Sequence, residues 1–81
     1  MGKIIVLIGE ITDPFEGKRD KKKVETLAED ISKHGLKCPL LVDVEYVIID
    51  GSHRLGALQK LGWKEVSIEV INLKEMQQPH P

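Results

Sequence analysis

The sequence has little cysteine, few aromatic residues and no strong charge of either sign. Its single cysteine excludes a framework of internal disulfides and a zinc site built from several cysteines. The aromatic residues are Phe15, Tyr46 and Trp63, so the core must be built from aliphatic side chains. A formal net charge of −1 gives no overall attraction to nucleic acid or to an anionic membrane.

Long hydrophobic runs are also lacking. No apolar stretch approaches the ~20 residues that cross a bilayer, and the run at residues 3–8 is too short for the apolar region of a signal peptide. We therefore expect a cytoplasmic protein with no membrane partner. A chain of 81 residues with 41% hydrophobic residues fits one small globular domain.

The hydrophobic pattern predicts six elements of secondary structure. Residues 4–8 form a continuous β-branched run that is typical of a strand buried on both faces, and residues 65–70 alternate as a half-buried strand does. Two short apolar runs at 40–44 and 46–50 indicate a hairpin. Helices are expected at 21–34, where apolar residues recur at helical spacing, and at 52–61.

The order β-α-β-β-α-β predicts a small α/β (α+β) domain, in which two main helices cover a mixed β-sheet. We expect this single stand-alone domain to occupy residues 1–73. The last residues, 74–81, contain two prolines and two glutamines and are expected to form a frayed tail. Asp20 is placed to cap the first helix, and Gly35 and Gly62 to end the two helices.

Three reactive side chains follow the glycine that joins the predicted strand 46–50 to the second helix. The run is Asp50-Gly51-Ser52-His53-Arg54. A helix N-terminus carries unpaired N–H donors and partial positive charge, so it attracts anions and phosphate above all. Gly51 allows close approach of the backbone, Arg54 offers a forked donor set, and His53 offers a hydrogen bond or a proton. The turn therefore predicts a phosphate site.

The same residues also fit an ordinary structural turn. Ser52 would then cap the second helix, with His53 and Arg54 solvated in its first turn. Positively charged side chains at a helix N-terminus cost about 0.3–1 kcal/mol each. Two adjacent basic residues at this position therefore favour the interpretation that the turn binds an anion. We do not expect Ser52 to be a nucleophile, because its only evident base is His53 and adjacent helical residues do not face each other.

The segments HGLKCPLLV and YVIIDGSHRLGALQKLGWKEVSIEVI resemble the ParB N-terminal and sulfiredoxin-like superfamily, and the resemblance extends over residues 4–71. It implies the fold of that superfamily and a nucleotide site. The nucleotide that the resemblance implies is CTP, ATP or ADP, and Mg²⁺ is expected to accompany it. Its phosphates would be held at the residues of the turn, which are Asp50, Gly51, Ser52, His53 and Arg54.

Three branches of the superfamily resemble the turn in different ways. ParB proteins read G-E-R-R, of which Gly51 and Arg54 match the ends. Sulfiredoxins read G-G-C-H-R, but Ser52 stands where their catalytic cysteine lies, so sulfinic-acid reduction is not expected. Kinases that phosphorylate free serine share D-G-x-H-R and need a carboxylate base from the N-terminal loop, for which Glu10 and Glu16 are the candidates. If the chain is an enzyme, the resemblance implies a nucleotide hydrolase or a small-molecule kinase, with His53 beside the terminal phosphate.

Two further residues gain a nucleotide-binding role from the resemblance. Arg19 lies in the basic run at 18–23, and Lys37 precedes the second predicted strand near the nucleobase position. The basic run also reads as the solvated start of a helix. The alternative function is a small module that binds DNA or a partner protein without catalysis. The three histidines lack the spacing of metal ligands, so no transition-metal site is expected.

Overall fold

A computed structural model describes residues 3–72 of the chain, so the predicted tail at 74–81 lies outside the described residues. The elements are β1 (Lys3–Leu7), α1 (Lys21–His34), β2 (Leu40–Val42), β3 (Ile48–Asp50), α2 (Ser52–Leu61) and β4 (Glu65–Val70). Two single turns of 3₁₀ helix, Ile8–Glu10 and Glu16–Lys18, lie between β1 and α1. The predicted order of strands and helices is confirmed.

The strands form one mixed sheet in the order β1-β4-β2-β3. β4 pairs antiparallel with β1 and parallel with β2, and β2 pairs antiparallel with β3. The predicted mixed sheet of an α+β domain is therefore confirmed. β3 is an outer strand of this sheet, and the turn that follows it stands at the opposite side of the sheet from β1.

One face of the sheet packs against both helices and forms the core. The core side chains are aliphatic, as the shortage of aromatic residues required. Those with no exposed surface are Leu40, Val42, Ala57, Leu58 and Ile68. Within residues 3–72, neither helix is both long and apolar enough to cross a membrane.

β1 differs from its prediction. The apolar run was expected to be buried on both faces, but β1 is an edge strand whose residues other than Val6 are exposed. Ile5 is 67% and Leu7 is 54% exposed. Both helices cover the same face of the sheet, so Ile5 and Leu7 on the other face stay exposed. A continuous apolar run does not encode which faces of the sheet are covered.

The ends of the helices follow local sequence rules. Asp20 caps α1, because its carboxylate accepts hydrogen bonds from the amides of Lys22 and Lys23. Gly35 ends α1 at φ 75°, and Gly62 ends α2 in the left-handed region at φ 81°. The predicted positions of these three residues are confirmed.

The strands β2 and β3 are shorter than predicted, and the turn that joins them is longer. Asp43 accepts hydrogen bonds at one carboxylate oxygen from the amides of Glu45 and Val47, at 2.8 and 3.0 Å. Tyr46 adopts φ 62°, a left-handed conformation that ends strand geometry. The side chain of Asp43 therefore satisfies the backbone groups that a longer ladder would have paired.

Candidate functional site

The turn after β3 is built around a glycine in the left-handed region. Gly51 has φ 117° and ψ 18°, and it is the residue that precedes α2. A Cβ at this position would lie 2.7 Å from the side chain of Leu40, so the turn can close onto the core only with glycine. Its carbonyl accepts the first bond of α2 from the amide of Leu55 at 2.8 Å.

The N-terminus of α2 has no side-chain cap within the described part of the chain. The amides of Ser52, His53 and Arg54 fall in the first turn, where a helix supplies no acceptor for them. Partial positive charge accumulates at this end of a helix. The result is a set of backbone donors at the end of β3, as the phosphate interpretation required.

Ser52 does not cap the helix, contrary to the structural interpretation of the turn. Its hydroxyl donates to Oδ2 of Asp13 at 2.7 Å and accepts from Nε of Arg19 at 3.3 Å. Ser52 therefore has a carboxylate neighbour that sequence reasoning did not foresee. His53 is thus not the only basic group near Ser52, contrary to the expectation from the sequence.

Asp13 and Arg19 form a nearly buried ion pair within the loop before α1, and this pair contacts α2 through Ser52 and Gln59. Nη2 of Arg19 lies 2.6 Å from Oδ2 of Asp13, and the side chains are 12% and 5% exposed. Burial alone would raise the pKa of Asp13. Hydrogen bonds from Ser52, Arg19 and the amide of Phe15, with the charge of Arg19, instead hold that pKa below its ordinary value. Asp13 stays an ionised acceptor, and a poor base for the Ser52 hydroxyl.

Arg19 also explains the glycine inside α2. Its Nη1 donates to the side chain of Gln59 at 2.9 Å, so the guanidinium lies along the helix surface. A Cβ on Gly56 would lie 3.0 Å from both Cδ and Nη1 of Arg19. The glycine makes room for the arginine side chain.

His53 contacts the start of α1. Its Nε2 accepts a hydrogen bond from the amide of Asp20 at 3.0 Å. A ring nitrogen that accepts carries no proton, so the proton of the neutral ring lies on Nδ1. His53 therefore ties α2 to α1 through one nitrogen and can offer a donor through the other.

Arg54 joins the turn to the segment that leads into β2. Nη1 donates to the carbonyls of Pro39 and Cys38 at 3.2 and 3.4 Å, and Nη2 lies 3.2 Å from the carboxylate of Asp50. Its side chain is 22% exposed. The guanidinium thus has structural contacts in addition to the surface it presents to solvent.

Two adjoining cavities meet at Leu27, Asp50 and Arg54. The smaller, of about 430 Å³, is bounded by the turn and the N-terminal loop and is lined chiefly by Phe15, Lys18, Arg19, Gly51, Ser52 and His53. The larger, of about 510 Å³, is lined chiefly by Ile31, Leu36, Lys37, Pro39, Leu41 and Glu69. Both volumes lie in the range of small-molecule sites.

The two cavities differ in charge. Four cationic or basic side chains (Lys18, Arg19, His53 and Arg54) line the smaller cavity against one carboxylate, that of Asp50. In the larger cavity the carboxylates of Asp30, Asp50 and Glu69 outnumber the cations of Lys37 and Arg54, and most of the lining is apolar. Arg19 is already paired with Asp13, but Lys18 and Arg54 still outnumber the carboxylate of Asp50, so of these two cavities the smaller one favours an anion.

The structure brings together most of the residues proposed from the sequence. Asp50, Gly51, Ser52, His53, Arg54 and Arg19 line the smaller cavity, and Lys37 lines the larger. Glu10 and Glu16 are exposed and are not among the described residues that line either cavity. The loop instead brings Asp13 to the turn. Asp13 was missed because Asp-Pro is an ordinary turn signal and its partner Ser52 lies 39 residues away.

Within residues 3–72, no three histidine, cysteine, aspartate or glutamate side chains are grouped so that they could hold a metal ion.

A family model described as the ParB N-terminal domain matches residues 3–80. The nucleoid occlusion protein of Geobacillus sp. (strain WCH70) is 40% identical over 60 residues, which cover 69% of this chain and 21% of the relative. The chain thus spans about a fifth of the length of this curated relative.

Solved structures share the fold. Sulfiredoxin from Arabidopsis thaliana superposes with a TM-score of 0.78 at 25% identity, over 98% of this chain and 100% of that one. ParB from Caulobacter crescentus complexed with CTP-gamma-S gives 0.76 at 24% identity, over 100% and 56% of the two chains. A free serine kinase in complex with AMP gives 0.72 at 23% identity, over 85% and 30%.

Proposed function

The chain belongs to the ParB N-terminal domain family, and we propose that it binds a nucleotide across the two adjoining cavities, with the phosphates at the N-terminus of α2. The observation that carries the proposal is the charge difference between the cavities. A basic cavity with uncapped helix amides adjoins a mainly apolar one with carboxylates at its rim. A nucleotide matches this arrangement, because it joins an anionic phosphate chain to a base with apolar faces.

The phosphates are proposed for the smaller cavity. The amides of Ser52 and His53 would donate to phosphate oxygens, and the exposed edge of the Arg54 guanidinium would add a charged donor. His53 would donate through Nδ1, because Nε2 already accepts from Asp20. Lys18 lines the same cavity and adds charge for a longer phosphate chain.

The base and sugar are proposed for the larger cavity. Leu36, Pro39 and Leu41 offer apolar surface to the faces of a base. Carboxylates at the rim accept hydrogen bonds from exocyclic amino groups and ribose hydroxyls, and they repel phosphate. Lys37 is proposed to contact the base or the ribose from the same side.

Solved relatives by fold support a nucleotide as the ligand. The ParB structure holds CTP-gamma-S and the serine kinase structure holds AMP. Whether this chain turns its nucleotide over is a separate proposal. Glu10 and Glu16 remain candidate bases only if the loop at residues 9–20 rearranges on binding, and His53 can assist as a donor to the terminal phosphate.

The proposal is tested by calorimetric titration with CTP, ATP and ADP, each with Mg²⁺, alongside cytidine, adenosine and inorganic triphosphate. Nucleotides should bind more tightly than nucleosides or triphosphate alone, because each fragment fills one cavity. At a hundredfold excess over Kd, binding should stabilise the fold by about 2.7 kcal/mol. Equal affinity for nucleotide and nucleoside would contradict the placement of the phosphates.

A second function, binding of DNA as a small module, is favoured by the lysines at the start of α1. Lys21, Lys22 and Lys23 are exposed, and Lys22 and Lys23 line a shallow surface cavity with His53. Contacts of this type are with phosphates and are not sequence specific. Affinity for a duplex should then fall steeply with salt, and Lys22→Ala/Lys23→Ala should reduce that dependence. Salt-independent binding would argue against this function.

A further inference from the structure

We propose that β1 is a self-association surface, through which two copies of this chain pair antiparallel around Ile5 and form one continuous eight-stranded sheet. The inference does not rest on nucleotide binding. It rests on the open edge of β1, on its exposed apolar side chains and on the match of the strand to its own two-fold copy.

The backbone of β1 presents free hydrogen-bonding groups at the sheet edge. In an antiparallel ladder, residues that bond their partner alternate with residues that point away. The amide of Ile8 donates to the carbonyl of Lys64 at 2.8 Å, just beyond the pair Leu7–Glu65. Residues 4 and 6 therefore bond to β4, and Lys3, Ile5 and Leu7 turn their N–H and C=O groups to the open edge. Among residues 3–72, no strand pairs with that edge.

The side chains along this edge are apolar and exposed on both faces of the sheet. Ile5 and Leu7 lie on the face away from the core at 67% and 54% exposure. Ile4 points to the same side as the core residue Val6, yet it remains 42% exposed because the helices do not reach over the edge. Proteins normally protect a free edge with charges, proline or a bulge. Here residues 3–7 contain one charge, Lys3, and no proline.

One register uses all of these groups. With Ile5 opposite Ile5 of the second copy, Lys3 lies opposite Leu7, and three residue pairs exchange six backbone hydrogen bonds. The two isoleucines and two leucines then form a continuous apolar patch. A shift that centres the pair on Lys3 would place like charges opposite each other, which destabilises a sheet. A shift that centres it on Leu7 would run past the end of the strand.

The charges on neighbouring β4 suit this register. Lys3 lies beside Glu69 and Leu7 lies beside Glu65 in the antiparallel ladder. In the paired sheet, Lys3 has Glu69 of its own chain on one side. On the other side it has Leu7 of the second copy, and Glu65 of that copy follows one strand further on. Glu65 of the second copy lies two strand spacings, about 10 Å, from Lys3, so its attraction is weak and apolar contact is the main contribution of the second copy.

Pairing through β1 leaves the candidate nucleotide site open. The turn at residues 50–54 follows β3, and β1 and β3 are the two outer strands of the sheet. The amide of Ile71 donates to the carbonyl of Val42 at 2.8 Å, so the β2–β4 ladder continues one residue past β4. The two copies would present their sites at opposite ends of the joined sheet.

The test is sedimentation equilibrium of the wild type, Ile5→Lys and a matched control, Val44→Lys. Val44 is 61% exposed and lies in the turn after β2. The wild type and the control should dimerise with the same dissociation constant, and Ile5→Lys should weaken the dimer at least tenfold, because two ammonium groups would face each other on the two-fold axis. A wild type that stays monomeric at millimolar concentration would overturn the proposal, as would a dimer that survives Ile5→Lys.

A crosslink tests the register and covers the case in which Ile5→Lys fails to fold. In a Cys38→Ser background, Ile5→Cys should form an intermolecular disulfide under mild oxidation, and Val44→Cys should not. Bonded antiparallel pairs have Cα atoms about 5.5 Å apart, within the range that a disulfide spans. Equal crosslinking of the two variants would show random collision and overturn the proposed register.

Discussion

Replacing Gly56 by alanine should have opposite effects in two backgrounds, because Arg19 occupies the space that the new methyl group needs. In an exposed helix interior, alanine is favoured over glycine by about 1 kcal/mol. In this chain the Cβ would lie 3.0 Å from Cδ and Nη1 of Arg19. That side chain cannot move without stretching its bonds to Gln59 at 2.9 Å and Asp13 at 2.6 Å.

The gain in helix propensity is smaller than the loss of the hydrogen bonds that Arg19 makes. A hydrogen bond to a charged group contributes roughly 1.5–3 kcal/mol, so displacing Arg19 should outweigh the gain in helix propensity. Gly56→Ala should then lower the free energy of unfolding of the wild type by about 1 kcal/mol. In an Arg19→Ala background, the same change should raise it by about 1 kcal/mol.

Urea denaturation followed by circular dichroism and by the fluorescence of Trp63 measures all four free energies of the cycle. The expected coupling between positions 19 and 56 is about 2 kcal/mol. If Gly56→Ala stabilises both backgrounds equally, Arg19 does not occupy the surface of α2 in solution, and the account of this ion-pair network is wrong.

Three further predictions concern the turn. Arg54→Ala should weaken nucleotide binding roughly 10- to 150-fold by calorimetry. It should also lower stability, because the side chain donates to the carbonyls of Cys38 and Pro39. Arg54→Lys should recover only part of the affinity, and the control Lys60→Ala on the same helix should leave the affinity unchanged. Because the pKa of Asp13 is lowered in the folded state, stability should fall as pH drops below about 4, and Asp13→Asn should flatten that fall in acid denaturation curves. Ser52 should carry no phosphate after incubation with ATP or CTP and Mg²⁺, since its hydroxyl donates to the weakly basic Asp13; a phosphorylated Ser52 in mass spectra, formed as fast as turnover, would contradict this.

The elements and their order were predictable because their signals are local. Helical spacing of apolar residues, a capping aspartate at 20 and glycines at 35 and 62 each act within a few residues. The geometry of the turn at residues 50–54 was predictable for the same reason, since a glycine between a strand and a helix sets its own conformation. The proposal that the ligand is a nucleotide came from the family resemblance.

The rest depended on contacts distant in sequence. Asp13 meets Ser52 across 39 residues, and Gly56 is explained by Arg19 on another element. Neither pair leaves a periodic signal in the chain. The exposure of β1 depends on the edge position of the strand and on the packing of both helices against one face of the sheet, neither of which the apolar run encodes. Arg54 was predicted as a free phosphate donor, and its bonds to the segment before β2 became visible only in the folded chain.

The most direct test of nucleotide binding at this turn is a titration followed by ¹H–¹⁵N NMR of the labelled chain. Saturable shifts are expected at the amides of Gly51, Ser52 and His53 with nucleotide, with inorganic triphosphate reproducing the shifts at the turn. The nucleoside should instead reproduce shifts at Leu36 and Leu41. Nucleotide-induced shifts confined to Lys21, Lys22 and Lys23, with none at the turn, would contradict the account.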